Sequence, residues 1–269
     1  MTASAIPAPA PQLVRVRPHA AVRAGTYAYD ATDVTSAWHV HDLHQIEYAI
    51  EGFAQVETAT ARYLLPPQRA AWIPAGLAHK TTLKSVRTVA VFLDPAMITG
   101  KSERARILSV RPVLREMIAY GARWPVSRSA SDEVADSFFD TLAILVARWL
   151  DDDEVALHLP ASADPIVAAA MRYTDEHLGS ATLPAVCAAV AVSERTLRRR
   201  FAHAGISWRQ YQLRSRLLHA MALLAEPDNT VLSVATRVGF DSGTAFSRAF
   251  TRHVGAAPSS YRQRAPRRR

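Results

Sequence analysis

The chain has 269 residues, 49% of them apolar, and a formal net charge of +8. That length favours two domains over one, and the apolar share is enough for a core in each. A single cysteine, Cys187, excludes an internal disulfide, which fits a reducing cytoplasm, and no apolar run approaches the ~20 residues of a membrane span. The charge is unevenly divided. Residues 165–269 hold sixteen arginines, no lysine and six acidic residues, whereas residues 1–164 are close to neutral. Only the C-terminal part is suited to a polyanion.

Residues 1–12, rich in Ala and Pro and without the pattern of a signal peptide, are expected to be disordered. From 13 to about 100, short alternating runs broken by Gly and Pro predict strands. In WHVHDLHQIEYAIEG, residues 38–52, alternate residues of an extended strand share a face. His39, His41, Gln45 and Glu47 then project to one side, and Val40, Ile46, Tyr48 and Ile50 to the other. His44 has the opposite parity and is expected at the surface. WIPAGLAHK, residues 72–80, adds a strand, a turn and His79.

These two segments resemble the two motifs of the cupin barrel. Pro74, Gly76 and His79 match P-x-G-x-x-H, while His39, His41 and Gly52 match H-x-H…G, with Gln45 standing where the metal-binding glutamate belongs. PPQRAAWIPAGLAH, residues 66–79, is also similar to the sensor domain of a family of transcription regulators. The imidazoles of His39, His41 and His79 could hold a divalent metal, with Gln45 or Glu47 as a weaker oxygen ligand. They could equally line an effector pocket as hydrogen-bonding groups, and the missing carboxylate favours that use.

Residues 101–150 carry helical periodicity. Pro112 opens a helix bearing Val113, Leu114, Met117 and Ile118. A second helix shows a stripe of Val134, Phe138, Leu142, Leu145, Val146, Trp149 and Leu150, with Ser129 and Asp132 as a capping pair. The stripe either covers the barrel or forms a homodimer interface. Residues 151–165 read as a linker.

LSVATRVGFDSGTAFSRAFTRHVGAAPSSYR, residues 232–262, predicts a helix, a glycine stop at Gly239, and a second helix capped by Ser242 with Phe246 and Phe250 facing inward. Such a unit suits a helix-turn-helix that lays its second helix in a DNA major groove. The pattern occurs once before, 49 residues earlier, so that Leu183, Val186, Ser193, Leu197, Arg199 and Phe201 stand where Leu232, Ala235, Ser242, Phe246, Arg248 and Phe250 stand later. A helix over 207–227 joins the copies. Residues 166–262 resemble the DNA-binding domain of AraC/XylS-type regulators, through S-E-R-T-L-R-R-R-F at 193–201 and G-F-x-S-x-x-x-F-S-R-x-F…G-x-x-P-S-x-Y-R at 239–262.

The resemblance implies base or backbone contacts at Arg195, Arg198 and Arg199, beside Ser193 and Thr196. In the second unit the matching set is Ser242, Gly243, Thr244, Ser247 and Arg248. Arginine suits guanine because its fork donates two hydrogen bonds to O6 and N7. Unit one should therefore carry most direct readout, and the smaller residues of unit two phosphate and shape readout. Arg200 is expected to cover the helix with its stem and keep its head in water. The tail, residues 263–269, is expected to be mobile.

The expected fold is α+β: a cupin-like sensor barrel over 13–100, a helical packing or dimerisation element over 101–150, a linker over 151–165, and an all-α domain over 166–262. The expected function is ligand-responsive, sequence-specific regulation of transcription by a cytoplasmic homodimer. Its partners would be double-stranded DNA, a small-molecule effector and RNA polymerase, with no membrane and no catalysis. Two alternatives stand beside it: a cupin metalloenzyme fused to a DNA-targeting module, and a constitutive architectural DNA binder.

Overall fold

In the computed structural model the described residues are 10–18, 22–67, 69–99, 103–151, 158–226 and 228–264. They fall into two compact units. One gathers residues 10–58 and 63–151, and the other gathers Ala59–Arg62 with the chain from 158 onward. The mixed α+β composition read from the sequence holds. Residues 1–9, 152–157 and 265–269 lie outside the description, and with them most of the expected disordered start, part of the linker and the basic tail.

The N-terminal unit is built on strands β1 (Gln12–Leu13), β2 (Ala24–Thr35), β3 (His39–Val40), β4 (His44–Thr58), β5 (Ala61–Leu65, from Tyr63 onward), β6 (Arg69–Ile73), β7 (His79–Leu93) and β8 (Arg106–Ser109). Its centre is β7, which pairs antiparallel with β2 on one edge and β4 on the other. β6 then bridges β4 and β8. β1 runs parallel to its partner, β3, so Gln12, expected to be disordered, is extended and paired. The register of β4 on β7 shifts at Ala49/Glu51 and again at Glu51/Phe53, where Gly52 takes a φ of 71°. Such bulges bend a strand and raise its twist, which curves the sheet.

Alternation on β7 sets the two faces. Val89, Val91 and Leu93 join Ile46, Tyr48 and Trp72 in a core covered by helices α1 (Pro112–Gly121) and α2 (Glu133–Trp149). Ala90 and Phe92 face the other way, with Leu43 and Val126. The helical stripe is therefore used to cover the sheet, but its buried edge is Ala135, Phe139, Leu142, Ala143, Val146 and Leu150. Val134 is 65% exposed. Leu142, Val146 and Leu150 of the expected stripe are buried and Phe138 and Trp149 pack partly buried against it, so the departures are Val134, which is exposed, and Ala135, Phe139 and Ala143, which widen the buried face. Asp132 alone caps α2, its carboxylate accepting from the Ala135 N–H at 2.8 Å, where Ser129 had been expected to share the role.

The C-terminal unit opens on a two-residue strand, β9 (Leu159–Pro160). Its helices are α3 (Pro165–Glu176), α4 (Leu183–Ala189), α5 (Glu194–His203), α6 (Trp208–Ala225), α7 (Val231–Arg237), α8 (Gly243–Val254) and α9 (Pro258–Arg264). Hydroxyl caps punctuate the chain: Thr182, Ser193, Ser207, Thr230 and Ser242 each accept from a first-turn N–H, as orphan donors there require. The repeat is confirmed with one adjustment. The second helices of the units align at a spacing of 49 residues. The first helices, α4 and α7, start 48 apart, because the second turn holds one more residue. Val186 and Cys187 thus correspond to the buried Val234 and Ala235, while Leu232, expected on the apolar face, is 66% exposed. Gly239 has a φ of 82°, and a Cβ there would stand 2.6 Å from the Gly179 carbonyl oxygen, so both conformation and space demand glycine.

Candidate functional site

The two surfaces singled out by the sequence belong to different units. In the C-terminal unit, Leu197 and Phe201 turn inward and are wholly buried, which leaves Arg195, Arg198 and Arg199 exposed on the opposite side of α5. Arg198 meets Glu194 at 3.1 Å across one exposed helical turn. Such a pair is worth only ~0.3–0.5 kcal/mol, so the guanidinium is readily released to another partner. Ser193 and Ser242 spend their hydroxyls on capping, the first accepting from Thr196 N–H and the second from Ala245 N–H. On α8, Phe246 and Phe250 are buried while Thr244 and Arg248 are exposed, with Gly243 and Ser247 partly so. Gly243, Thr244, Ser247, Arg248, Thr251 and Arg252 line one shallow open groove.

Arg200 departs from its expected role. Its Nη1 lies 2.6 Å from Asp164, the residue that caps α3 through the N–H groups of Ile166 and Val167. These bonds and the guanidinium hold the Asp164 carboxyl below its ordinary range, against the desolvation that raises it. Arg200 therefore ties α5 to α3. No local pattern announces this partner, 36 residues away.

In the N-terminal unit the curved sheet forms a half-open cavity of about 350 Å³. Its walls include His39, His41, Gln45 and Glu47, as the strand parity predicts, and the apolar Val34, Leu83, Ala90 and Phe92. The other contributors are not marked by any pattern in the sequence. Tyr27 and Tyr29 come from β2, and Val14, Arg15 and Val16 from the segment that follows β1. Neither set carries a motif, and its position depends on pairing with strands far along the chain.

His39 and His79 are directly opposed residues of β3 and β7, with ring centroids 4.2 Å apart. The turn before His79 is fixed by Gly76, whose φ is 77° and whose N–H donates to the His41 carbonyl at 2.9 Å. That bond ties the P-x-G-x-x-H turn to the H-x-H segment. His41 lies 5.1 Å from His79, centroid to centroid. His39, His41 and His79 each offer one nitrogen within a 4.8 Å cluster. His44, expected at the surface, is only partly exposed: its Nδ1 accepts from Ala75 N–H at 3.0 Å and its ring lies tilted against Trp72, centroids 4.6 Å apart.

Burial dominates the electrostatics. It pushes His79 down to about 3 and lowers His41, opposed in the latter by Gln45 and by the Leu43 carbonyl. It raises Glu47 to about 7, against hydrogen bonds from Gln45 and Thr88. The polar line runs Leu43 O, His41, Gln45, Glu47, with separations of 2.7, 2.8 and 2.8 Å. Both His41 nitrogens face oxygen atoms, which a neutral ring cannot satisfy. The conflict disappears when the Gln45 amide is turned end for end, since amide O and N are an assignment. A protonated Glu47 then donates to Gln45, which donates to Nε2 of a neutral His41.

This line gives a pH-dependent expectation. Folded, Glu47 keeps its proton to about pH 7; unfolded, it loses it near 4.5. The folded chain binds the extra proton in that window, so stability is full below pH 4.5 and is lost as pH rises through 7. Glu47→Gln should therefore stabilise the protein little at about pH 4 and by up to about 3 kcal/mol at about pH 8. Urea unfolding at the two pH values measures the difference, and an equal gain at both would contradict the assignment.

Comparison with known proteins matches a domain family in each part of the chain. Residues 186–264 match the helix-turn-helix domain family, and residues 21–159 match the AraC-like ligand binding domain. The chain is 27% identical over 232 residues to the HTH-type transcriptional regulator NimR of Escherichia coli K12, covering 85% of this chain and 83% of that protein. It is 30% identical over 135 residues to the HTH-type transcriptional activator RhaR of Salmonella dublin, covering 49% of this chain and 47% of RhaR. Among solved structures, ToxT of Vibrio cholerae O395 aligns over 90% of this chain and 98% of its own at 13% identity, with a TM-score of 0.40. The chain belongs to the AraC-type transcriptional regulators, with an N-terminal ligand-binding domain and a C-terminal helix-turn-helix DNA-binding domain.

Proposed function

We propose that this regulator senses a small, mainly apolar molecule in the cavity of its N-terminal unit and reads its operator chiefly through Arg195, Arg198 and Arg199. The cavity carries the first half of the reading. Its volume of about 350 Å³ suits a small organic ligand, and its apolar walls surround one polar line, His41–Gln45–Glu47. A ligand with one polar end would exchange hydrogen bonds with that line and leave its remainder against Leu83 and Phe92. By linkage, occupancy changes DNA affinity by the same factor by which DNA changes ligand affinity.

The DNA half rests on three exposed arginines on one face of α5, against a single one among the corresponding α8 positions. Ser193, Thr196, Ser242, Gly243, Thr244, Ser247 and Arg248 complete the contact set, mainly on phosphates. The action is regulatory and without catalysis, supported by relatives named as transcriptional regulators. Exposed Val134 and Ile144 on α2 support a homodimer, and RNA polymerase is the partner at the promoter.

The test is a small-molecule screen by thermal shift, followed by DNA titration with each hit. A genuine effector is expected to raise the Tm and change DNA affinity. Leu83→Trp, which fills the cavity, should abolish both effects. A compound that still shifted DNA affinity in Leu83→Trp would place the sensing site elsewhere.

A further inference from the structure

Arg62 stands apart from the arginines already considered. It lies near the start of β5, whose remainder from Tyr63 onward belongs to the sheet unit, yet it is part of the C-terminal unit. Strand pairing fixes its backbone there. Arg62 lies opposite Leu159 and Ala61 opposite Pro160, and the Ala161 N–H donates to the Thr60 carbonyl at 3.0 Å. The Arg62 side chain is only 15% exposed and turns onto α3, where Nη2 donates to Oδ2 of Asp175 at 2.6 Å.

The same carboxylate ties α3 to α6. The Tyr211 hydroxyl donates to it at 2.8 Å and the Ser215 hydroxyl at 2.6 Å, both from wholly buried residues. Arg62 also meets the Tyr211 hydroxyl. Near the start of α6, the Trp208 indole N–H donates to the Thr174 hydroxyl at 3.0 Å. α3 thus holds α5 at one end, through Asp164 and Arg200, and the first two turns of α6 at the other. Two neutral hydroxyls cannot cancel a carboxylate's charge. Asp175 is 16% exposed, and among the described residues Arg62 is the one cation within 4 Å of it. Removing one partner of such a pair strands the other uncompensated and is strongly unfavourable, whereas replacing both is often close to neutral.

We propose that Arg62 is a positioning residue for DNA reading. By neutralising Asp175 it lets α3 hold α6, the helix that joins the two recognition units, and so fixes the separation of α5 from α8. It acts through Asp175 and not on DNA. The DNA-binding unit is therefore completed by a residue 113 positions before Asp175 in the chain, one that residues 158–264 alone lack. The effect on DNA rests on α5 and α8 acting together on one duplex; the joint itself does not.

The test compares full-length native protein, Arg62→Gln, and Arg62→Gln combined with Asp175→Asn. Each is titrated with a duplex carrying the two-part site that the native chain selects from a random pool. A second duplex moves the two elements apart by half a helical turn, about five base pairs. Arg62→Gln is expected to bind the selected site at least about tenfold more weakly and to lose most of the preference for it over the lengthened duplex. Adding Asp175→Asn should restore both to within about threefold of native, because no charge is then stranded. Equal weakening on both duplexes, with the preference kept, overturns the positioning role. So does a loss that Asp175→Asn fails to restore, accompanied by a salt slope lower by about one, which would make Arg62 a phosphate contact. Calorimetry tests the joint without DNA. The transition of the C-terminal unit should fall in Arg62→Gln and return in the double variant, and an unmoved transition in Arg62→Gln overturns the joint. A native chain that selects no duplex would sink the DNA reading, while calorimetry would still decide the joint.

Discussion

Arg195→Ala combined with Arg198→Ala should collapse the protein's preference for its operator over random duplex. Both side chains are exposed on the face of α5 opposite the buried Leu197 and Phe201, so neither substitution touches the core. A bidentate arginine on guanine is worth ~1–3 kcal/mol of discrimination, or roughly five- to 150-fold for each one that reads a base. Arg248→Ala on α8 should behave differently. If Arg248 holds a phosphate, specific and non-specific complexes weaken alike, and the slope of log affinity against log salt falls by about one. Competition binding at several salt concentrations separates the two patterns. Unchanged discrimination in the double variant would move direct readout away from α5.

Phe201→Ala should destabilise the C-terminal unit by ~3–5 kcal/mol, a large part of the 5–15 kcal/mol that typically holds a domain. Phe201 is wholly buried at the inner face of α5, with its ring 6.4 Å from that of Tyr211 on α6. Removing it leaves a cavity between the recognition helix and the helix that joins the two repeats. Its counterpart in the second unit, Phe250, sits between Phe246 and Tyr261 at 5.4 and 5.5 Å. Phe250→Ala should cost a similar amount. In calorimetry the C-terminal unit should melt at a lower temperature while the transition of the sheet unit stays in place. A loss under about 1 kcal/mol would mean that the recognition helix is held by something other than its aromatic anchor.

What the sequence made legible follows from the range of the interactions. Helix starts at Ser193, Ser207 and Ser242, and the glycine turn at Gly239, are fixed by neighbours within four residues, so their local pattern suffices. The cavity face of β4 was legible because Gln45 and Glu47 alternate with Ile46 and Tyr48. His39 and His41 share the cavity wall with Gln45 and Glu47, although the strand is broken between Val40 and His44. His44 was misplaced because parity speaks of faces and says nothing of the turn at Ala75 that covers it. Arg200 was misread because Asp164 is brought to it by the packing of α3 on α5. The arm at Val14–Val16 and the tyrosines of β2 reach the cavity only through strand pairing across the chain, which periodicity does not encode.

The repeat spacing shows the same division. Matching Leu183 to Leu232 kept the apolar letters aligned, yet the buried residues of α4 and α7 correspond one position earlier. The extra residue sits in the turn before Ser242, where an insertion disturbs neither helix. Burial, set by the core beneath each unit, decided the register.

On the function proposed above, two helix-turn-helix units act together on one duplex and α5 supplies most of the specificity. Selection of bound duplexes from a random pool by the purified full-length chain, at moderate salt, tests it most directly. The pool is expected to converge on a two-part site whose elements lie about ten base pairs apart, with the more constrained element lost when Arg195 and Arg198 are replaced. A pool that stays random after repeated rounds, with and without compounds that stabilise the N-terminal unit, would contradict it.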